Sequence, residues 1–166
     1  WRELGALVGR EAEAETMIAD FAAQVATCRQ KSAAMPRRPG VFIEAMHREI
    51  KTFTPDSLPV WVVETAGGRS VAADALPASP GVIVADYGPE RLLGIASEVD
   101  LFLSQDGAMN RTDLETILSR SIYQPLPAFK NGNVHKIPEA FISRPTPSLL
   151  KGVEMVAGWL GGIEKE

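Results

Sequence analysis

Cysteine is almost absent from this chain: Cys28 stands alone among 166 residues. One thiol closes no disulfide within these residues and builds no multi-cysteine metal site. Histidine is nearly as scarce, with only His47 and His135. There is no CxxC, HExxH, GxGxxG, P-loop or GxSxG elbow. The local signatures of metal, dinucleotide, nucleotide and acyl-transfer chemistry are therefore missing, and no cofactor is expected. An excess of positive charge is missing too. The 17 Lys and Arg against 21 Asp and Glu leave a net charge of -4. Nucleic acid is not an expected partner, because phosphate backbones need clustered cations. Arg37 and Arg38 sit between Pro36 and Pro39 and read as a solvated linker. No stretch reaches the roughly 18 apolar residues of a membrane span. The chain opens Trp1-Arg2-Glu3, without initiator Met or apolar leader, and reads as a mature or truncated product.

What is present is a globular composition, 45% hydrophobic and 23% charged, with enough chain for one domain. Residues 11–34 read as a long helix. Its acidic start and basic end suit the helix dipole, and Met17, Phe21, Val25 and Cys28 form an apolar stripe. That stripe makes Cys28 a structural thiol rather than a reactive one. Residues 40–45 read as a buried parallel strand. A helix follows from Ser57, closed by Gly67-Gly68, so Ala66 to Ser70 is a helix cap and not a phosphate loop. Further strands are expected at 82–84, 101–103 and 134–137. Helices are expected from Pro89, over 111–120, and from Pro147 to the end, the last capped by Thr146 and burying Leu149, Leu150, Val153, Val156 and Leu160. The alternation predicts an α/β domain with a mostly parallel central sheet flanked by helices, three layers in a Rossmann-like arrangement. Ligands of such sheets sit beyond the carboxyl ends of the strands. That points to Met46, His47 and Arg48, to Gln105 through Asn110, and to Glu139 through Arg144.

The order of the pieces resembles the iron–siderophore, haem and cobalamin substrate-binding proteins of ABC importers. Leu4-Gly5 to Gly9-Arg10-Glu11, with Ala14 and Glu15, is similar to that family's "LG..LGRE.EAE". Glu64 to Asp74 is similar to "E.AGG.NVAAD", and Tyr87 to Leu93 sits where the family has "VS.E.LL". Val99 to Leu103 answers "PDVII", Pro127 to Val134 answers "L.AVKNGRVY.I", and Ser143 to Pro147 with a final helix matches the close. The resemblance implies two α/β lobes joined by one long helix, with the ligand clamped between them. Residues 1–10 would be the end of that helix, 11–163 the C-terminal lobe and 164–166 a tail; the N-terminal lobe is missing from this chain. It also implies an extracytoplasmic place, periplasmic or lipid-anchored at the cell surface, and partnership with ABC permease subunits. Two departures bear on the ligand. Ser70 replaces the family's Asn, and Val84 falls where the cobalamin binder carries a stacking Trp, so cobalamin is not favoured over other chelates.

Each candidate residue has a plainer reading beside the functional one. Glu90 aligns with the family's permease-docking glutamate, and is equally a first-turn carboxylate at a helix dipole. Arg144 aligns with the cleft arginine that would fork onto a chelate's anionic oxygens, and is otherwise a surface ion pair. Arg48 and His47 follow the first strand; His47 would ligate a metal or haem iron, or would be an ordinary exposed histidine. Phe53, Tyr87, Met109 and Phe141 are apolar wall or core. No residue is read as catalytic. The competing function is a cytosolic α/β enzyme or small-molecule regulatory domain, against which the missing catalytic motifs weigh.

Overall fold

The computed structural model describes residues 1–108 and 110–163. Met109 and the tail 164–166 lie outside the described residues. Helix α1 (Arg2–Leu7) ends at a turn in which Gly9 takes φ +68°. Helix α2 (Glu11–Ala33) then runs for 23 residues, about 34 Å at 1.5 Å per residue. Arg2 Nε donates to Glu15 across the two helices at 2.6 Å. The stripe Met17, Phe21, Val25 and Cys28 is half-buried, with Phe21 stacked on Trp61 at 6.3 Å, while the opposite face of α2 is exposed.

Strand β1 (Gly40–Glu44) is followed by β2 (Lys51–Phe53), helix α3 (Leu58–Ala66), β3 (Arg69–Ser70) and β4 (Val84–Asp86). Then come α4 (Gly88–Gly94), β5 (Leu101–Asp106), α5 (Leu114–Leu118), α6 (Pro127–Lys130), β6 (Val134–Pro138), α7 (Glu139–Ile142) and α8 (Leu149–Ile163). The main sheet has the order β3-β1-β5-β6 and is parallel throughout. Alternating side chains feed two cores. Val41, Ile43, Leu101 and Leu103 face α3 and α8, while Phe42 and Phe102 face Leu92, Ile117 and Tyr123. The α/β, three-layer expectation is therefore what the chain adopts.

Several local expectations shift, each for a physical reason. Residues 82–84 do not join the main sheet: Val82 and Ile83 are exposed, and β4 starts at Val84, pairing antiparallel with β2 in a separate ribbon. The helix expected over 111–120 is confined to 114–118, because Asp113 accepts a hydrogen bond from the Thr116 amide at 2.6 Å and sets the start there. That bond holds the Asp113 carboxyl below the usual carboxylate range. The last helix begins at Leu149, after two turn bonds to the carbonyls of Thr146 and Pro147. Arg37 and Arg38 are not a free linker. Arg37 pairs with Asp100 at 2.9 Å, Arg38 donates to the Gly68 carbonyl at 2.6 Å, and Asp100 also accepts from the Gly40 amide at 2.7 Å. Gly67, at φ +106°, closes α3 as expected.

Helix α8 lies hard against the end of α7. A Cβ on Gly152 would meet the Phe141 carbonyl oxygen at 2.0 Å, backbone that has no rotamer to move. Gly152→Ala should therefore destabilise the chain by about 1–3 kcal/mol, the usual cost of overpacking, despite alanine's better helix propensity. Urea unfolding should show this as a lower midpoint at unchanged slope; an unchanged midpoint would mean α7 and α8 are less tightly apposed.

Candidate functional site

The carboxyl ends of β1, β5 and β6 converge, as the parallel topology requires. At their centre is Glu44, the last residue of β1 and fully buried. Its carboxylate accepts hydrogen bonds from Ser104 Oγ at 2.9 Å, from Arg120 Nη1 at 3.1 Å and from the Tyr123 hydroxyl. Arg120 also donates to the Tyr123 oxygen at 2.7 Å and lies over that ring. Burial first, then the Glu44 charge, push the Tyr123 phenol well above the ordinary tyrosine range.

Ser104 passes the network on. Its hydroxyl accepts from Asn110 Nδ2 at 3.2 Å, and the same amide nitrogen donates to the Gln105 carbonyl at 2.8 Å. Asn110, fully buried, accepts at Oδ1 from the His47 backbone N–H at 2.8 Å and from His47 Nδ1 at 2.6 Å. The loop after β1 is thus pinned by the loop after β5. It also turns tightly: Lys51 N donates to the Met46 carbonyl, and buried Ile50 takes φ +48°. A β-branched residue rarely occupies that region, at a cost of order 1–3 kcal/mol, so the loop is held open by its surroundings rather than by its own preference.

His47 and Arg48 line a pocket of about 280 Å³ with Met46, Ala108 and Arg111. Arg111 and Ala108 also border a neighbouring hollow of about 600 Å³ that includes Asp106, Asp113 and Lys136. Arg48 and Arg111 are exposed and have no ion-pair partner among the described residues. Lys136 is occupied by Asp106 at 3.2 Å. Arg144 is exposed but pairs with Glu139 at 2.8 Å, and Glu139 packs over Gly107, where a Cβ would meet its carboxylate at 2.1 Å, so that contact requires Gly107's lack of a side chain. Ser143 donates to Gln105 Oε1, which ties the Arg144 turn to β5.

Of the residues expected at the site, His47 and Arg48 share one pocket. Arg144 stands at the same strand edge but lines neither hollow. Phe141 is half-buried on α7 with the Lys151 ammonium 5.6 Å from its ring centroid. Phe53 and Tyr87 are core residues, and Met109 lies outside the described residues. Glu90 is exposed in the first turn of α4, whose start is tied to the loop after β1 by the Gly88 amide donating to the Ile50 carbonyl at 3.1 Å, but it lines neither hollow. Arg111 was missed, although its place after β5 was the signal that could have found it. A separate apolar hollow of about 270 Å³ beside α2, with Trp1, Ile18, Phe21, Leu58 and Pro147 in its lining, offers no charged side chain. The second histidine, His135, stacks on Trp159 at 4.4 Å, and burial lowers its pKa. That is a packing role.

The parallel order and the pinned loops define an α/β fold with a pocket at the carboxyl ends of its strands. The family model described as periplasmic binding protein matches residues 1–141, and the chain belongs to that family. No curated protein matches it. Among solved structures it is similar to the periplasmic haem-binding protein RhuT from Roseiflexus sp. RS-1, at 16% identity and TM-score 0.79, covering 98% of this chain and 61% of that one. It is also similar to S. aureus IsdE complexed with haem (19%, TM-score 0.76, 95% and 61%). The vitamin B12 binding protein BtuF of Vibrio cholerae is a third (20%, TM-score 0.71, 92% and 55%). The chain thus spans about three-fifths of the length of the structures it matches.

Both tyrosines of the chain ionise late. Burial, then the hydrogen bond to Asp74, push Tyr87 up to about 12, and Tyr123 is raised as well. A raised folded-state pKa means the folded chain keeps protons that the unfolded chain releases near pH ~10. The resulting stability is complete below that pH and drains away as pH climbs toward 12. A spectrophotometric titration should therefore show little tyrosinate until the fold melts; a full phenolate signal from folded protein near pH ~10.5 would contradict the buried network.

Proposed function

We propose that this chain is the C-terminal lobe of an extracytoplasmic binding protein that clamps a metal chelate between two lobes and delivers it to an ABC permease. The observation that carries the reading is the pocket at the strand ends, which a histidine lines together with two arginines that have no ion-pair partner among the described residues. Guanidinium groups suit the carboxylates and hydroxamates of iron chelates, and haem, siderophore and B12 binders share the fold. Half-buried Val84 packs against the core and offers no ring to stack on a corrin, which weighs toward siderophore or haem. Membership of the periplasmic binding protein family supports a place outside the cytoplasm, and a lipid anchor is one way of holding the protein there.

The connection to the absent N-terminal lobe is best assigned to α2 rather than to residues 1–10. Helix α2 is about 34 Å long and exposed along one face, whereas α1 is a six-residue helix broken from it at Gly9. The buried members of both cores run from Val41 to Leu160, and α2 packs against them through half-buried Cys28, which supports 11–163 as the lobe together with its connecting helix. Glu90, exposed and with no ion-pair partner among the described residues, is free to meet a permease arginine. Arg144 would turn from Glu139 to an anionic ligand.

Thermal unfolding of the full-length protein against a panel of ferric siderophores, haem and cobalamin tests the reading. The right ligand at 100 times its dissociation constant should add about 2.7 kcal/mol, and no shift with any chelate would refute it. Arg144→Ala should weaken an anionic chelate by about 1.5–3 kcal/mol, checked by calorimetric titration. Glu90→Lys should leave ligand affinity alone while cutting uptake into permease proteoliposomes, since reversing one charge of a docking pair costs about 2–5 kcal/mol or more. Normal uptake would leave Glu90 as a helix-dipole residue.

A further inference from the structure

The pocket beside His47 has a chemistry that is more selective than charge alone. Asn110 cannot be turned the other way, because its Nδ2 would then oppose the donating His47 backbone N–H. With Oδ1 fixed as acceptor, His47 Nδ1 must be the protonated nitrogen. The neutral ring therefore carries its free electron pair on Nε2. Asn110 is itself held by Ser104 and the Gln105 carbonyl, and Ser104 by buried Glu44, so the tautomer is fixed from within the core. A second observation concerns charge. His47 lines its pocket together with Arg48 and Arg111, and no group of three or more metal-ligating side chains occurs among the described residues. Two guanidiniums repel a bare cation, so any metal has to arrive already ligated and with a compensating negative charge.

On the binding-protein reading given above, we infer that this pocket takes an anionic metal complex with one coordination position open. His47 Nε2 fills that position, Arg48 and Arg111 hold peripheral carboxylates, and Asn110 is a positioning residue that keeps the imidazole in the ligating tautomer. A chelate that already saturates its metal has no place for the Nε2 electron pair and would strand it against the ligand. The pocket thus discriminates among metal chelates by vacancy at the metal as well as by charge.

Three probes test this on the full-length protein: ferric protoporphyrin IX, its dimethyl ester, and a coordinatively saturated ferric trihydroxamate. Saturable one-to-one porphyrin binding is expected, with a Soret band that His47→Ala displaces while lowering affinity at least about tenfold. Asn110→Ala should also lose about tenfold, the scale for removing a partner that orients a ligating histidine. Arg48→Ala and Arg111→Ala should weaken the free acid and leave the dimethyl ester unaffected. Nitrogen-15 spectra of the unliganded wild type need no variant to fold, and should show His47 protonated at Nδ1. A proton on Nε2, or a His47→Ala protein with unchanged affinity and Soret band, overturns the inference. Binding of the trihydroxamate without the porphyrin overturns it as well, but leaves the binding-protein reading standing. Binding of neither, together with no response to cobalamin, removes both.

Discussion

A fully buried carboxylate is the constraint on which this lobe is organised. Glu44 ends the central strand in an apolar layer, where an unsatisfied charge would cost several kcal/mol. Three donors from two separate stretches of chain answer it: Ser104 from β5, and Arg120 and Tyr123 from the turn after α5. Satisfying the charge therefore also fixes where β5, α5 and the following turn stand relative to β1. The same contacts orient Ser104 toward Asn110, and through Asn110 they reach His47. Core electrostatics and the geometry of the pocket are one connected system.

Around that fixed centre, like-charged residues have unlike roles. Arg120 is spent on the core, Arg37 and Arg38 clamp the entry to β1, and Arg144 is balanced by Glu139. Only a cation without such a partner keeps its full attraction for an incoming anion, since an internal pair must first be broken. Arg48 and Arg111 meet that condition among the described residues. Counting arginines at the strand ends would have treated all of these alike.

The parallel sheet was legible because β1 and β5 open as short apolar runs after Pro39 and Asp100, and because β6 follows the Asn131-Gly132-Asn133 turn. The ribbon of β2 and β4 was not, because Lys51-Thr52-Phe53 is three residues long with a polar start and acquires its strand character only from pairing. Strand β3 hid inside a correctly recognised helix cap. At the site, the rule that ligands lie beyond strand ends located His47 and Arg48. It could not reveal the network beneath them: Glu44 meets Ser104, Arg120 and Tyr123 across 60 to 79 positions of sequence. Contacts that distant leave no local pattern to read. Glu44 by itself is one acid in an apolar strand.

The way the sheet ends has a consequence for how it meets other chains. Open strand edges are templates on which foreign chains can pair and aggregate. Here one edge is β3, only two residues long. The other is β6, which carries Lys136 and finishes at Pro138, a residue with no N–H to offer. Neither border gives an intruding strand a long, flat, apolar ladder to extend. Protection against edge-on pairing is thus built into the margins of the sheet, while the loops at its carboxyl end stay uncovered.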